Sequence, residues 1–358
     1  MRFLFVVQGE GRGHMTQAIA MQNMLLKHGH FICGVIIGKS ERRVVPDYFY
    51  ENIKSKITPI HSPNFLTDKD NKTVDLPRTI FYNLSKVPFF WRNVLKIKRL
   101  VEECEPDYVI NFYEFLCGVY FGTYKSKAKH ICIGHQFLLE HRDFQFPKVR
   151  IIDKFWYFVN TYITSQNAHL KLALSFREMP NDDKQKVKVV PPLLRKEVLD
   201  IEPTKGDFLQ AYVVNGGYTD DIINWHKSND SIKIHLFSDR KDIADGAIID
   251  KTLTFNYVND VKFLNSMKDC KAYASTAGFE SICEAMYLGK PVLLVPPKGH
   301  FEQQCNALDA VIAGAGIKST FFDIEALLDF VDKNDNKSNE VFKNWVDSAE
   351  SHFLKYLN

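Results

Sequence analysis

The sequence has no paired cysteines, no long apolar run and little net charge. Its seven cysteines are scattered without a Cys-x-x-Cys pair, which excludes a disulfide scaffold and predicts buried, reduced thiols. No stretch reaches the roughly 18 apolar residues that cross a bilayer, and the short apolar start lacks the pattern of a signal peptide, so we expect a cytoplasmic location. A formal net charge of +3 without a Lys/Arg block gives no reason to expect a nucleic acid partner.

What the sequence does contain is a regular alternation of short β-rich apolar runs with longer segments of helical period, which is typical of β-α units in parallel sheets. The predicted strands are residues 3–7, 31–37, 108–111, 130–133 and 187–190 in the first half, and 210–214, 232–237, 271–275 and 291–295 in the second. The 358 residues suit two medium domains. We therefore predict an α/β chain with two Rossmann-like, doubly wound domains, residues 1–192 and 207–340, that face each other across a cleft. A polar linker, residues 193–206, joins them. The last predicted element, a helix over 341–358, packs on a domain surface, with a return to the first domain as one option.

A glycine-rich turn that ends in a histidine follows the first predicted strand. Gly9, Gly11 and Gly13 allow a ligand to approach the backbone closely, and the helix after them presents unpaired N–H groups. The imidazole of His14 can take a proton from a ligand hydroxyl near neutral pH, although a histidine that only packs the helix start fits this turn equally well. A dinucleotide site ranks second, because the glycine spacing differs from G-x-G-x-x-G and no acidic residue ends a second strand where the ribose ligand is expected.

A second constellation spans residues 275–307. A strand ends at Ser275, a bend of small residues follows, and a helix begins near Phe279 with Ser281 in its first turn. A diphosphate suits those N–H groups and hydroxyls. Glu284 lies one helical turn beyond Glu280, where a carboxylate can take both hydroxyls of a ribose.

This block resembles the donor site of GT-B glycosyltransferases, both the UDP-glycosyltransferases and the N-acetylglucosaminyltransferase that makes the lipid-linked peptidoglycan precursor. The resemblance implies that Thr276, Gly278 and Ser281 contact the phosphates. It implies that Glu284 holds the ribose and that Glu302 and Gln303 hold hydroxyls of the donor sugar. It further implies a phosphate-side turn at Gly216 and Gly217 and a backbone contact from Val258 to the base. An ordinary strand-to-helix loop explains the segment around Val258 nearly as well. Two departures blur which nucleotide sugar is used: Glu280 replaces a neutral polar residue, and Thr276 replaces a phosphate-contacting histidine.

The first half resembles the same families. The resemblance implies that His14 is the catalytic base, that Gly11 and Gly13 line the cleft, and that His135 and Gln136 form an acceptor-side turn. Glu114, after the strand at 108–111, is a candidate to orient His14 or the acceptor. A second interpretation of His135, that it satisfies a loop carbonyl, stays open.

Taken together, the resemblance implies an inverting, metal-independent glycosyltransferase with no cofactor beyond its nucleotide-sugar co-substrate. It would move a hexose or N-acetylhexosamine, with UDP the favoured carrier, to a hydroxyl of a glycan, lipid or small molecule. Aromatic and basic residues between 81 and 100 suit a lipid-linked acceptor or a peripheral contact with the inner face of the membrane. Aromatics packed beneath solvated lysines explain the same pattern. A nucleotide-sugar 2-epimerase of the same fold and a non-catalytic sugar-nucleotide-binding protein remain alternatives.

Overall fold

The computed structural model describes residues 1–40, 44–64, 66, 76–213, 216–334 and 337–357. Within these residues the chain forms two parallel β-sheets with helices on both faces. None of the helices in these ranges is long and apolar enough to cross a bilayer.

The first sheet has the order β3-β2-β1-β4-β5-β6-β7, with every pair parallel. Its strands are β1 (Arg2–Gln8), β2 (Phe31–Lys39), β3 (Ile57–His61), β4 (Tyr108–Phe112), β5 (Lys129–Ile133), β6 (Leu170–Leu174) and β7 (Val187–Val190). Its helices are α1 (Arg12–Lys27), α2 (Asp47–Asn52), α3 (Leu76–Ser85), α4 (Val87–Cys104), α5 (Phe115–Thr123) and α6 (Ile151–Thr164).

The central strand β1 explains why this sheet is covered on both faces. Its residues Phe3 to Val7 are all 0–1% exposed, so both faces of the strand are apolar and must be packed by helices. The strand order reverses between β1 and β4, and ligands of doubly wound sheets bind in the crevice at such a reversal. The glycine-rich turn before α1 lies at this point.

A short helix, α7 (Lys196–Leu199), separates the first sheet from the second, which has the order β10-β9-β8-β11-β12-β13. Its strands are β8 (Phe208–Val213), β9 (Lys233–Ser238), β10 (Leu253–Asn256), β11 (Ala272–Ser275), β12 (Val292–Leu294) and β13 (Gly316–Lys318). Its helices are α8 (Thr219–His226), α9 (Asp260–Asp269), α10 (Phe279–Tyr287), α11 (Phe301–Ile312) and α12 (Ile324–Lys333). The order reverses between β8 and β11, directly before the bend at 276–278. The predicted α/β architecture with two doubly wound sheets is confirmed.

All predicted strands are present, and the strands that we did not predict are β3, β6, β10 and β13. Pro59 interrupts the β3 pattern, and proline is tolerated there because β3 is an edge strand. The other edge strand, β13, is only three residues long, and so short a run gives no period to read.

The end of the chain forms two helices where we predicted one: α13 (Lys337–Asp347) and α14 (Ala349–Leu357). The indole N–H of Trp345 donates to the Ser175 carbonyl at 3.0 Å, and Glu350 pairs with Lys27 at 2.7 Å. Phe353 and Leu357 are fully buried, and α14 packs against β7. The tail therefore covers the first domain, although it follows the second in sequence.

Candidate active site

Most of the predicted site residues line one cavity of about 400 Å³. Its walls are the loops and helix starts that follow β1, β4 and β5 of the first sheet and β10, β11 and β12 of the second. The predicted residues on these walls are Gly11, Gly13, His14, His135 and Gln136 from the first half and Val258, Gly278, Ser281, Glu284, Glu302 and Gln303 from the second. Side chains from two domains thus converge on one space.

His14 is the third residue of α1 and is buried. Tyr113, which follows β4 with a φ of 58°, stacks on the imidazole at 5.9 Å between ring centroids. Burial lowers the pKa of His14 to about 4, and a hydrogen bond with Gln17 opposes that shift. The imidazole is therefore neutral at physiological pH and has a lone pair that can accept a proton.

Gln136 joins the imidazole to the second domain. Its Nε2 lies 3.4 Å from Nε2 of His14 and donates to Oε1 of Glu302 at 3.0 Å. Burial raises the pKa of Glu302 to about 7, and the hydrogen bond from Gln136 opposes the shift. One amide group therefore spans the cleft between the expected base and the expected sugar-binding carboxyl.

His135 satisfies a carbonyl and also lines the cavity. Its Nδ1 pairs with the Leu174 carbonyl at 2.7 Å, and its ring stacks on Phe279 at 4.2 Å. Burial lowers the pKa of His135 to about 4, opposed by the hydrogen bond to Leu174. The hydrogen bond matches the second interpretation of His135, and the stacking ties the first domain to the start of α10.

The bend before α10 contains a residue in the left-handed conformation and is held by a side chain of α11. Ala277 has a φ of 64°, and Asn306 donates to its carbonyl at 3.1 Å. Gly278 then caps α10 in an extended conformation, and the start of this helix, with its unpaired N–H groups, lines the cavity through Gly278, Phe279 and Ser281. Thr276 does not line the cavity, because its side chain is buried in the protein, with 2% exposed.

Glu284 carries an ion pair that the sequence did not predict. Arg195, just before α7, binds both of its oxygens, with Nε–Oε1 at 2.7 Å and Nη2–Oε2 at 3.2 Å. Burial raises the pKa of Glu284, and the Arg195 guanidinium opposes the shift. A carboxylate has about four lone-pair sites, so this bidentate pair leaves capacity for further hydroxyl donors.

Glu114 lies elsewhere. It caps α5 by accepting from the Leu116 N–H at 3.2 Å, and it accepts a hydrogen bond from Ser62. It does not line the cavity, and these partners differ from the expectation that it orients His14. The backbone geometry explains the difference, because residue 114 begins a helix and its carboxylate turns back onto that helix. A catalytic role for Glu114 stays a prediction.

The predicted phosphate-side turn of the second domain is set back from the cavity. Gly216 and Gly217 begin a 3-10 turn, and Gly216 faces the Arg240 side chain. Neither glycine lines the cavity, and Val214 and Asn215 of the same turn lie outside the described residues.

Sequence reasoning missed several residues that meet across the cleft. Arg12 reaches the Val258 carbonyl at 3.4 Å and the Asp260 carboxylate at 3.7 Å, and Gln17 donates to Glu280 at 3.0 Å. Arg195, a linker residue in sequence, belongs with them. The available signal was an arginine inside the glycine-rich turn, but only the folded chain shows what it faces.

No group of three or more His, Cys, Asp or Glu side chains suited to a metal ion occurs among the described residues. The sequence contains one Asp-x-Asp triplet, Asp68-Lys69-Asp70, a pattern of carboxylates that can hold a metal ion. This triplet lies outside the described ranges, so metal independence stays a prediction.

Comparisons with known proteins bear on this site. The model of glycosyl transferase family 1 matches residues 1–334. An uncharacterized glycosyltransferase of Methanosarcina acetivorans is 23% identical over 330 residues, which cover 86% of this chain and 82% of that protein. The UDP-N-acetylglucosamine--N-acetylmuramyl-(pentapeptide) pyrophosphoryl-undecaprenol N-acetylglucosamine transferase of Alkaliphilus metalliredigens is 24% identical over 278 residues, or 69% of this chain and 70% of that protein.

A solved structure shares the fold over nearly the whole chain. UGT2 of Phytolacca americana, complexed with UDP-2fluoro-glucose and pterostilbene, has a TM-score of 0.64 at 13% identity and covers 99% of this chain and 98% of its own. A structural likeness at 13% identity shows the fold alone. The match to the family model over residues 1–334 shows the family and its glycosyltransferase activity. The chain belongs to glycosyl transferase family 1 and is a glycosyltransferase with the GT-B fold.

Proposed function

We propose that this glycosyltransferase is inverting and metal-independent, and that it moves a hexose or N-acetylhexosamine from a UDP-sugar to an acceptor hydroxyl. The observation that carries the proposal is the Gln136 bridge, which brings His14 of one domain and Glu302 of the other within hydrogen-bond reach of a single amide. A base and a sugar-binding carboxyl that share one amide group are close enough for a single displacement at the anomeric carbon of a sugar bound between them.

In this mechanism the acceptor hydroxyl approaches Nε2 of His14. The new bond forms between the acceptor oxygen and the anomeric carbon, the bond from that carbon to the diphosphate oxygen breaks, and the hydroxyl proton passes to His14. Attack comes from the face opposite the leaving group, so the configuration inverts. The neutral, buried imidazole supports this role. Its Nε2 lone pair accepts from the Gln136 amide in this structure, and it can take the proton once the acceptor hydroxyl replaces that amide.

The departing diphosphate gains negative charge, and α10 offers groups that stabilise it. The helix begins at Phe279, so its free N–H groups and positive dipole end lie beside Gly278 and Ser281 on the cavity wall. Arg12 and Arg195 line the same cavity. Fixed donors of this kind stabilise a developing anion without a metal.

The nucleoside half of the donor would lie along α10 and the loop before α9. Glu284 retains lone pairs for the ribose hydroxyls beside Arg195, and Val258 presents backbone groups for the base. UDP is the proposed carrier because the relative from Alkaliphilus metalliredigens is named for a UDP-linked sugar.

A lipid-linked or glycan acceptor is proposed on two grounds. That relative is named for an undecaprenol-linked acceptor, and α3 and α4 expose large apolar side chains, with Phe81 77%, Phe89 42% and Trp91 41% accessible. Exposed Arg92 and Lys96 flank them on α4, as suits a peripheral contact with the inner, anionic face of the membrane. Cosedimentation with vesicles that contain anionic lipid tests this contact.

The base is tested with His14→Ala. We expect transfer to fall by about 10²-fold or more while UDP binding, followed by calorimetry, stays close to that of the unaltered protein. Exposed His169→Ala is the matched control and should transfer normally. Undiminished transfer by His14→Ala would remove this residue from the mechanism.

The product tests the stereochemistry. UDP-glucose and UDP-N-acetylglucosamine carry α-linked sugars, so an inverting enzyme gives a β-linked product, which NMR coupling constants distinguish. An α-linked product rejects inversion. Release of UDP without any acceptor product, or an isomerised donor, supports the 2-epimerase alternative, and binding without turnover supports the non-catalytic one.

A further inference from the structure

Glu280 lies at the tip of α10, where the proposed diphosphate site requires positive or neutral groups. It is in the first turn of the helix, next to Ser281, and it lines the cavity. An ionised carboxylate at this position would repel the phosphates that the helix N-terminus attracts. The proposed function therefore demands an account of this side chain.

The surroundings of Glu280 are those of a neutral carboxyl group. Its Oε2 accepts a hydrogen bond from Nε2 of Gln17 at 3.0 Å, and its Oε1 is buried with no hydrogen-bond partner among the described residues. Gly13 lies so close that a Cβ there would be 3.2 Å from Cβ of Glu280. In the described part of the chain no cation forms an ion pair with Glu280. A buried carboxyl with one neutral donor holds its proton, because no ion pair compensates for the loss of water.

The charges nearby reinforce that state. Glu284 on the same helix and Arg195 before α7 act electrostatically on Glu280, and Cys283 lies close to it. The other charged or titratable groups along this cavity include Glu10, Arg12, His14, Asp260 and Glu302. The contact of α13 with α10 includes a hydrogen bond at the far end of the helix, between Tyr287 and Asp347 at 3.0 Å. Burial raises the pKa of Glu280 to about 8. The Gln17 hydrogen bond opposes the shift, Glu284 adds to it and Arg195 opposes it.

The two cavity arginines are already engaged by other carboxylates. Arg195 binds both oxygens of Glu284, and Arg12 lies 3.7 Å from Asp260 and 3.8 Å from Asp239. An ionised Glu280 would therefore add negative charge that no cation offsets, beside a ligand that brings more.

We propose, resting on the function proposed above, that Glu280 binds the donor as a neutral carboxylic acid whose Oε1–H donates a hydrogen bond to a diphosphate oxygen. Gln17 of the first domain holds Oε2, so the proton stays on the oxygen without a partner. Buried carboxylic acids donate to oxyanions in this way where an apolar site keeps them neutral. Glu280 is then a donor-binding residue that makes nucleotide affinity depend on pH.

The consequence is a loss of affinity on the alkaline side. If only the protonated form binds, UDP affinity falls about tenfold between pH 7 and pH 9, since the fraction of protonated Glu280 falls by that factor around a pKa of about 8. Glu280→Gln keeps a neutral donor at this position and cannot ionise. Its UDP affinity should change less than about twofold over the same interval.

Calorimetric titration at pH 7, 8 and 9 measures the UDP affinity of the unaltered protein and of Glu280→Gln. Circular dichroism at each pH verifies that both proteins are folded. Glu325→Gln is the matched control, because it removes an exposed carboxyl of the second domain that does not line the cavity and should keep the tenfold loss. For the unaltered protein at pH 8, titration in two buffers of different ionisation enthalpy should show uptake of about half a proton per UDP. This second measurement needs no variant.

The outcomes separate the two proposals. Equal pH dependence in the unaltered protein and Glu280→Gln, no proton uptake at pH 8, or complete loss of UDP binding by a folded Glu280→Gln each overturns the role of Glu280. If neither UDP nor TDP binds the unaltered protein at any pH, the nucleotide-sugar function itself is rejected.

Discussion

Buried titratable residues set how this enzyme responds to pH. Glu114 is 1% exposed, caps α5 and accepts from Ser62, and burial raises its pKa to about 7, opposed by those hydrogen bonds. In the unfolded chain a glutamate ionises near pH 4.5. The folded protein therefore keeps a proton that the unfolded chain loses, and the free energy of unfolding falls as the pH rises from about 4.5 to about 7.

We predict that Glu114→Gln reduces this loss. Between pH 5 and pH 8 the unaltered protein should lose about 2 kcal/mol more unfolding free energy than Glu114→Gln. Urea unfolding at the two pH values measures the difference, with exposed Glu202→Gln as the control. An equal pH dependence in the two proteins would mean that folding does not raise the pKa of Glu114.

At the scale of elements, the approach of α1 to α10 determines the geometry of the site. Gly13 in the first turn of α1 meets Glu280 in the first turn of α10, and an added Cβ would lie at 3.2 Å. That spacing is tighter than most real Cβ contacts, so a side chain at position 13 requires Glu280 and the start of α10 to shift by a few tenths of an ångström. Gly11, two residues earlier at the N-cap of α1, leaves an ordinary 3.6 Å contact to His14.

We predict that Gly13→Ala lowers transfer about tenfold or more, because a small displacement of the base from the donor is costly. Gly11→Ala is the matched control and should retain most activity. The measurement is the initial rate of sugar transfer by both variants and the unaltered protein at saturating donor. Full activity in Gly13→Ala would show that the helices need not approach this closely during transfer.

The sequence already indicated these two elements but not their contact. The glycine pattern after β1 and the small-residue bend before α10 predicted a turn and a helix start in each half. The distance between them depends on how the two domains pack against each other. Contacts such as the stacking of Phe279 on His135 set that packing, and they join residues more than 140 positions apart.

At the scale of the whole molecule, the C-terminal helices join the second domain back to the first. Phe353 and Leu357 are fully buried, and α14 packs on β7. The strand ends at Val190 and the helix begins at Ala349, 159 positions later in the sequence. Lys27 and His28 at the end of α1 pair with Glu350 at the start of α14, each at 2.7 Å. The first domain is therefore complete only when the tail is present.

We predict that Phe353→Ala lowers the free energy of unfolding by about 3–5 kcal/mol, the usual cost of deleting a buried phenylalanine ring. The measurement is urea unfolding followed by tryptophan fluorescence. Exposed Lys355→Ala on the same helix should leave the midpoint unchanged within error. A small effect of Phe353→Ala would mean that α14 is dispensable for the folded first domain.

The sequence by itself determined the class of this protein and the parts of its site. The hydrophobic periods of strands and helices depend on residues a few positions apart, and the motif at residues 275–307 is a continuous segment. Both can therefore be recognised from the sequence alone. Only the tertiary structure decided that Arg195 binds Glu284, that Gln136 links His14 to Glu302, and that Glu114, Thr276, Gly216 and Gly217 stand back from the cavity. These facts depend on burial and on pairs of groups far apart in the chain, and such pairs are set by how two domains pack rather than by any local pattern.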